Sequence, residues 1–81
     1  MPRRYSTDEV DAALRRIGFS PERQRGSHQR YIGRWRGAAR YVTLIAGRKE
    51  IDPRTLSSIC HQAAITRSEL HRLISGEHIS E

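Results

Sequence analysis

The chain reads as a two-layer α+β domain in the order helix-strand-strand-strand-helix-helix, with an antiparallel three-stranded sheet. Three observations predict it: apolar stripes at helical spacing near both ends, a central stretch whose period changes to two, and a Ser/Thr-x-x-Glu capping box at positions 6–9 and again at 66–69. Helices that flank an antiparallel sheet cover one of its faces and leave the other to water.

The first helix is expected over residues 7–17. Ser6 is placed to accept from the Glu9 amide while the Glu9 carboxylate reaches back, and Tyr5 and Val10 stand where a hydrophobic staple closes. Val10, Ala13, Leu14 and Ile17 form a single stripe; Gly18 then ends the helix in a left-handed turn, with Phe19 folding back on it. Strands are expected over 22–25, 29–34 and 40–45. Gly26-Ser27 joins the first two as a tight turn, and Trp35-Arg36-Gly37-Ala38 is the loop before the third. On the second strand Arg30 and Ile32 share one face and Gln29 and Tyr31 the other. On the third, Val42 and Leu44 point to the core and Tyr41, Thr43 and Ile45 away from it. After the polar loop Gly47-Arg48-Lys49-Glu50, Asp52-Pro53 announces a helix with an N-cap carboxylate and a first-turn proline, and Leu56, Ile59, Cys60 and Ala63 repeat the apolar stripe. A short last helix starts at Thr66-Arg67-Ser68-Glu69, with Ile65 and Leu70 as staple, Leu70, Leu73 and Ile74 as stripe, and Gly76 as its stop. The expected organisation is one domain over 1–76 and a frayed tail, 77–81.

Eighty-one residues make one domain at roughly 150 per domain, and a chain this short buries only about 60% of the surface it exposes when unfolded. A large catalytic cavity is excluded. Hydrophobic residues at 36% against 30% charged, with a mean hydropathy of −0.74, fit a small soluble globule. No apolar run approaches the ~20 residues of a membrane crossing, and residues 1–5 lead into the first helix without an apolar secretory segment. The expected address is therefore cytoplasmic, with no membrane partner. Cys60 is alone, so neither an internal disulfide nor a thiolate metal site is expected, and it reads as a small core hydrophobe.

Charge is the most informative bulk property. Fifteen bases, fourteen of them arginine, stand against nine acids for a net +6. The excess is concentrated: residues 15 to 54 hold eleven bases and only Glu22, Glu50 and Asp52 as acids, whereas the segments before and after are each net −1. Arginine offers a planar fork that matches phosphate, so the natural partner is a polyanion, nucleic acid before membrane surface.

One stretch of that block combines a titratable side chain, a tight turn and dense positive charge: Arg23-Gln24-Arg25-Gly26-Ser27-His28-Gln29-Arg30-Tyr31. A histidine ring exchanges a proton near neutral pH, so His28 is the candidate acid or base toward a 2′-hydroxyl and a leaving oxygen. Arg23, Arg25 and Arg30 would hold the phosphate and stabilise charge developing on it. Gly26 lets a backbone approach closely, and the amides around Gly26-Ser27 are a candidate anion-binding nest. Arg34, Arg40 and Lys49 extend the RNA-binding set. The scheme needs neither metal nor cofactor. Trp35 and Tyr31 are the aromatic candidates for stacking on an unpaired base, and Tyr41 is expected in sheet packing. His61, His71 and His78 have no acidic or thiolate partners at ligand spacing and read as structural or solvated.

The ordered series Ile17-Gly18-Phe19, Arg23-Gln24-Arg25-Gly26-Ser27-His28 with Tyr31, Tyr41-Val42-Thr43-Leu44, Lys49-Glu50-Ile51 with Pro53 and Thr55-Leu56, Ile59 with Gln62-Ala63, and Ile65-Thr66 with Glu69-Leu70 resembles the HicA (YcfA-like) family of bacterial toxin-antitoxin modules. The resemblance implies a double-stranded-RNA-binding-domain-like fold and a small mRNA interferase: a metal-independent endoribonuclease that cuts single-stranded mRNA, blocks translation and is silenced by a HicB-type antitoxin. It places the catalytic histidine on His28 and implies no direct DNA binding except through the antitoxin complex. The chain departs from the family pattern where a Pro-x-His and a later Gly are common: those places hold Ile45 and Gly47, and Arg54.

Two other readings follow from the residues. A domain of this fold can bind RNA without cutting it. The last two helices also read as a helix-turn-helix, with Arg67, Ser68 and His71 facing a DNA groove, although residues 55–81 sum to −1 while the bases lie upstream.

Overall fold

The computed structural model describes residues 4–81, so the expectation for residues 1–3 lies outside the described residues. The element order is α1 (Thr7–Arg16), β1 (Ser20–Arg25), β2 (His28–Trp35), β3 (Ala38–Ile45), α2 (Pro53–Ala63) and α3 (Arg67–Ile74). The strands form one antiparallel sheet in the order β1-β2-β3. This is the predicted α+β arrangement.

Capping chemistry sets the helix starts. Ser6 and Glu9 form a complete capping box at α1, Thr66 and Glu69 form another at α3, and Asp52 caps α2 ahead of Pro53 by accepting from the Thr55 amide. The Asp52 carboxyl is held below its ordinary range chiefly by bonds from the Thr55 hydroxyl and amide.

The strands are longer than expected: β2 and β3 gain residues at shorter turns, and β1 starts earlier, at Ser20. Gly26 alone has positive φ between Arg25 and His28, the type II′ pattern, so the first hairpin turns on two residues and His28 belongs to β2. At the second hairpin Arg36 and Gly37 both have positive φ, as in a type I′ turn. Trp35 and Ala38, expected in the loop, instead close the ladder as a cross-strand pair. A register shift between Pro21 and Arg23 puts a bulge at Glu22 on the outer strand.

Alternation along β2 and β3 separates two faces. Tyr31, Gly33, Trp35, Val42 and Leu44 are buried. They meet Val10, Ala13 and Leu14 of α1, Phe19, Leu56, Ile59 and Cys60 of α2, and Leu70 and Leu73 of α3 in a single core. Each buried aliphatic or aromatic side chain of this kind contributes about 1.5–3 kcal/mol. Burial pushes the Cys60 thiol up, in keeping with a core role. Tyr31 and Trp35, expected as stacking platforms, are 4% and 5% exposed and cannot reach a ligand. The Tyr31 hydroxyl donates to Asp11 of α1, and burial together with that carboxylate pushes the phenol above its usual range.

Polar contacts fix the remaining geometry. Thr7 is buried and clamps the segment after β3: its hydroxyl donates to the Ile45 carbonyl at 2.7 Å, the same oxygen accepts from the Arg48 amide at 3.1 Å, and the Thr7 amide donates to the Arg48 carbonyl at 2.9 Å. Arg36 reaches from the hairpin to α3, where it makes a two-armed contact with Glu69 at 3.0 and 2.5 Å and also donates to the Ala64 carbonyl. Residues 77–81, expected to fray, carry no helix or strand; within them Ile79 packs on the core and the Ser80 carbonyl accepts from Arg36.

Two stability predictions follow. A methyl group at Gly33 would come within 2.8 Å of the Phe19 ring, so Gly33→Ala should lower unfolding free energy by about 1–3 kcal/mol in urea titration, and Gly33→Val by more. The Glu69 carboxyl is lowered to about 2, chiefly by the Arg36 side chain and then by the Thr66 amide. A depressed carboxyl stabilises the fold above its unfolded value near 4.5 and loses that contribution as pH falls toward 2. Glu69→Gln should therefore flatten the acid limb of the stability profile between those values, measured by thermal melts.

Candidate functional site

The face of the sheet that turns away from the helices is built by cross-strand pairing. Arg25 is opposite His28 and Arg23 opposite Arg30 on one side of β2, while Thr43 is opposite Arg30 and Ile45 opposite His28 on the other. Directly opposed residues share a face and have Cβ atoms about 4.5–5.5 Å apart. The result is a cationic patch whose centre is the end of β2 next to the Gly26-Ser27 turn.

Arg23, Arg25, His28, Arg30 and Thr43 line an open depression of about 210 Å³ there. That is smaller than the ~300 Å³ at which enclosed small-molecule sites begin, and its open form suits an extended backbone rather than an engulfed ligand. His28 is exposed, and its ring makes no hydrogen bond, ion pair or ring contact among the described residues. The ring is therefore neither buried in the apolar core nor held by an internal partner. Arg23 and Arg25 are exposed and likewise carry no ion pair among the described residues. Arg30 is committed in part: its Nε donates to Glu22 at 2.8 Å and its guanidinium lies 4.6 Å from the centroid of the Tyr41 ring. Glu22 stands at the bulge on β1.

The other expected site residues are dispersed. Gly26 forms the turn with φ +60, while Ser27 presents its carbonyl to the Ala46 amide at 2.7 Å, so the start of the loop after β3 is tied to the same turn. Arg34 is on the outer face, six residues along β2 from His28, or about 20 Å at strand rise. Arg40 lies opposite Gly33 on the other face, and its guanidinium donates to the Trp35 and Arg36 carbonyls at 2.8 and 3.2 Å. Lys49 is exposed in the loop after β3 and does not line the depression. Thr43 was missed as a site residue, although its place on the outward face of β3 was legible from alternation. A smaller hollow between that loop and α2, lined by Ile45, Arg48, Glu50 and Thr55 among others, adjoins the patch at Ile45.

Of the residues expected for a helix-turn-helix, His71 accepts or donates at its Nδ1 with the Tyr5 hydroxyl, and Arg67 is within 3.4 Å of Ser57 on α2. Both are used within the fold. Among the described residues no three His, Cys, Asp or Glu side chains converge as a metal site, and no helix is long and apolar enough to cross a membrane.

A protein-family comparison matches residues 7–65, from the first residue of α1 to just beyond α2, to the HicA toxin of bacterial toxin-antitoxin systems. The chain belongs to the HicA toxin family. The match spans the sheet, the tight turn and the cationic depression, and leaves α3 and the tail outside it. Among curated proteins no sequence matches this HicA chain. Family membership makes it a toxin of the toxin-antitoxin kind, and the patch around His28 gathers exposed titratable and cationic groups, with His28, Arg23 and Arg25 uncommitted among the described residues.

The two faces predict different outcomes for two arginines. Arg25→Ala should lower the slope of log affinity against log salt by about 0.7 for a single-stranded polyanion, the loss of one phosphate contact. Arg40→Ala should leave that slope unchanged and lower the melting temperature instead. Polyanion titrations across a salt series, paired with thermal melts, check both.

Proposed function

We propose that this HicA chain is a metal-independent endoribonuclease that cuts single-stranded mRNA and thereby blocks translation. The observation that carries the reading is the exposed His28, unpartnered among the described residues, in a depression lined by Arg23, Arg25 and Arg30, in a chain of the HicA toxin family. The neutral imidazole takes the proton of a ribose 2′-hydroxyl, and the 2′-oxygen attacks the neighbouring phosphorus. The bond from phosphorus to the 5′-oxygen breaks, and that oxygen receives a proton from the imidazolium. The products are a 2′,3′-cyclic phosphate, which water can open to a 3′-phosphate, and a 5′-hydroxyl end. Arginine forks at positions 23, 25 and 30 stabilise the charge that gathers on the phosphoryl oxygens. Gly26 and Ser27 set the turn that presents them, and Arg34 and Lys49 draw the rest of the strand to the surface.

A toxin of this chemistry requires a silencer. The proposed one is an acidic HicB-type antitoxin that covers His28 in the cytoplasm, with DNA contacted only through the complex. The position of the family's second histidine is Gly47 here, which favours one alternative, a domain that binds RNA with steep salt dependence and does not cut it.

His28→Ala should reduce cleavage of a defined RNA in EDTA by at least about 100-fold, the usual contribution of a general acid-base, while RNA affinity stays within a few-fold. Expression of the intact chain should arrest growth, relieved by its antitoxin, and expression of the variant should not. Undiminished cutting by the variant, or normal cutting of a substrate with 2′-deoxyribose at the scissile position, would overturn the mechanism. Salt-sensitive binding with no turnover by the intact chain would establish the alternative.

A further inference from the structure

Among the described residues Tyr41 is the one large hydrophobic side chain left exposed, at 48%. It stands on the outward face of β3, opposite Ile32, with Thr43 and Ala39 two residues to either side on the same face. Arg30 covers part of the ring from the His28 side, 4.6 Å from its centroid. On the other side stand Ala39, whose methyl leaves room beside the ring, and its partner across the ladder, Arg34. Arg34 makes no ion pair or hydrogen bond through its side chain among the described residues. An outward tyrosine is the reverse of what core packing would select, and the surrounding cations make the ring a poor seed for an apolar protein interface, whose centre is depleted of charge. A ring between arginines on a phosphate-attracting surface matches the stacking platforms of single-strand binders.

We infer that Tyr41, with Ala39 as its floor and Arg34 across the strand, forms a second nucleotide subsite in which an unpaired base of single-stranded RNA stacks on the phenol ring. The inference rests on RNA as the ligand proposed above. Ile32, the partner of Tyr41, is four residues from His28, so the subsite lies about 13 Å along β2 from the reacting centre. The base it takes thus belongs to a nucleotide further along the strand than the two joined at the scissile bond. Arg34, too distant to serve the reacting phosphate, neutralises a backbone phosphate there. Because every base has a π-face, the subsite adds affinity and fixes register without reading sequence.

The test measures affinity rather than turnover, in a His28→Ala background that keeps the RNA intact. The probe is a short single-stranded RNA, followed by the same RNA with one abasic site moved along it. Tyr41→Ala should weaken binding by at least about five-fold with the salt slope unchanged, and Tyr41→Phe and Tyr41→Trp should retain affinity. One abasic position should weaken the parent chain but not the Tyr41→Ala chain. Arg34→Ala should lower the salt slope by about 0.7. The inference is overturned by any of three results: unchanged affinity of Tyr41→Ala, a Phe variant as weak as the Ala variant, or a Tyr41→Ala loss that appears as a reduced salt slope, which would mean the ring acts only by positioning Arg30. Thermal melts confirm that each variant folds. If the intact chain proves unable to cut RNA but these affinity results hold, the subsite stands and only the cleavage reading falls.

Discussion

Pairing register in the three-stranded sheet is the constraint on which the rest of the molecule depends. Side chains alternate with a period of two, so a slip of one residue would carry Tyr31, Trp35, Val42 and Leu44 to water and bring Arg30 and Thr43 inward. Two short turns pin that register from opposite ends of β2. Gly26-Ser27 holds β1 against it and Arg36-Gly37 holds β3. The same two turns decide which residues are available for chemistry. His28 is outward because it closes the first hairpin opposite Arg25, and its exposure follows from the burial of Tyr31, three residues on, against α1.

A second layer of constraint keeps the far side of the patch in place. The segment after β3 has no regular structure of its own, yet three bonds to Thr7 and one from the Ala46 amide to Ser27 tie it to the helix start and to the turn. The two through the Thr7 hydroxyl are half-buried, of the kind that contribute about 1 kcal/mol each when made and cost more when left unpaired. Through them the wall beside His28, at Ile45, is fixed to α1 and to the sheet together. The arginines divide along the same lines. Those facing inward or toward α3, Arg36 and Arg40, spend their donors on carbonyls and on Glu69, whereas Arg23 and Arg25 make no ion pair among the described residues.

Helix starts, the apolar stripes and the order of elements were legible because each has a local cause: a capping hydroxyl, a first-turn proline, a repeat of apolar residues at three and four. His28 with Arg23 and Arg25 was legible as a cluster because a two-residue turn brings near neighbours in sequence together. What was not legible depends on long-range pairing. Arg40 counts as one more base in the sequence, and only its position opposite Gly33 turns it to the covered face. Trp35 reads as a loop residue until the positive φ at Arg36 shortens the loop and makes it a strand end. Tyr31 loses its expected stacking role for the same reason, since it lies on the inward phase of the ladder. The fit of Gly33 against Phe19 leaves no sequence signal beyond a glycine in a strand.

Two of the three departures from the family pattern fall beside the proposed reacting centre, while Arg54 lies in the first turn of α2. Ile45 is the cross-strand partner of His28, and Gly47 follows the residue whose amide bonds Ser27. With isoleucine and glycine at positions 45 and 47, the proposed mechanism assigns both roles to His28, and the order of events in that proposal makes this workable: the proton taken from the 2′-hydroxyl is on the imidazole when the 5′-oxygen needs one. One ring serving both oxygens must reach each of them, which a side chain pinned by an internal hydrogen bond could not do. The ring of His28, at the end of a strand and bonded to nothing among the described residues, meets that requirement. Arginines cannot share the task, because their guanidinium groups stay protonated at any cellular pH and act only on charge. The isoleucine in turn places an apolar side chain opposite the ring across the ladder.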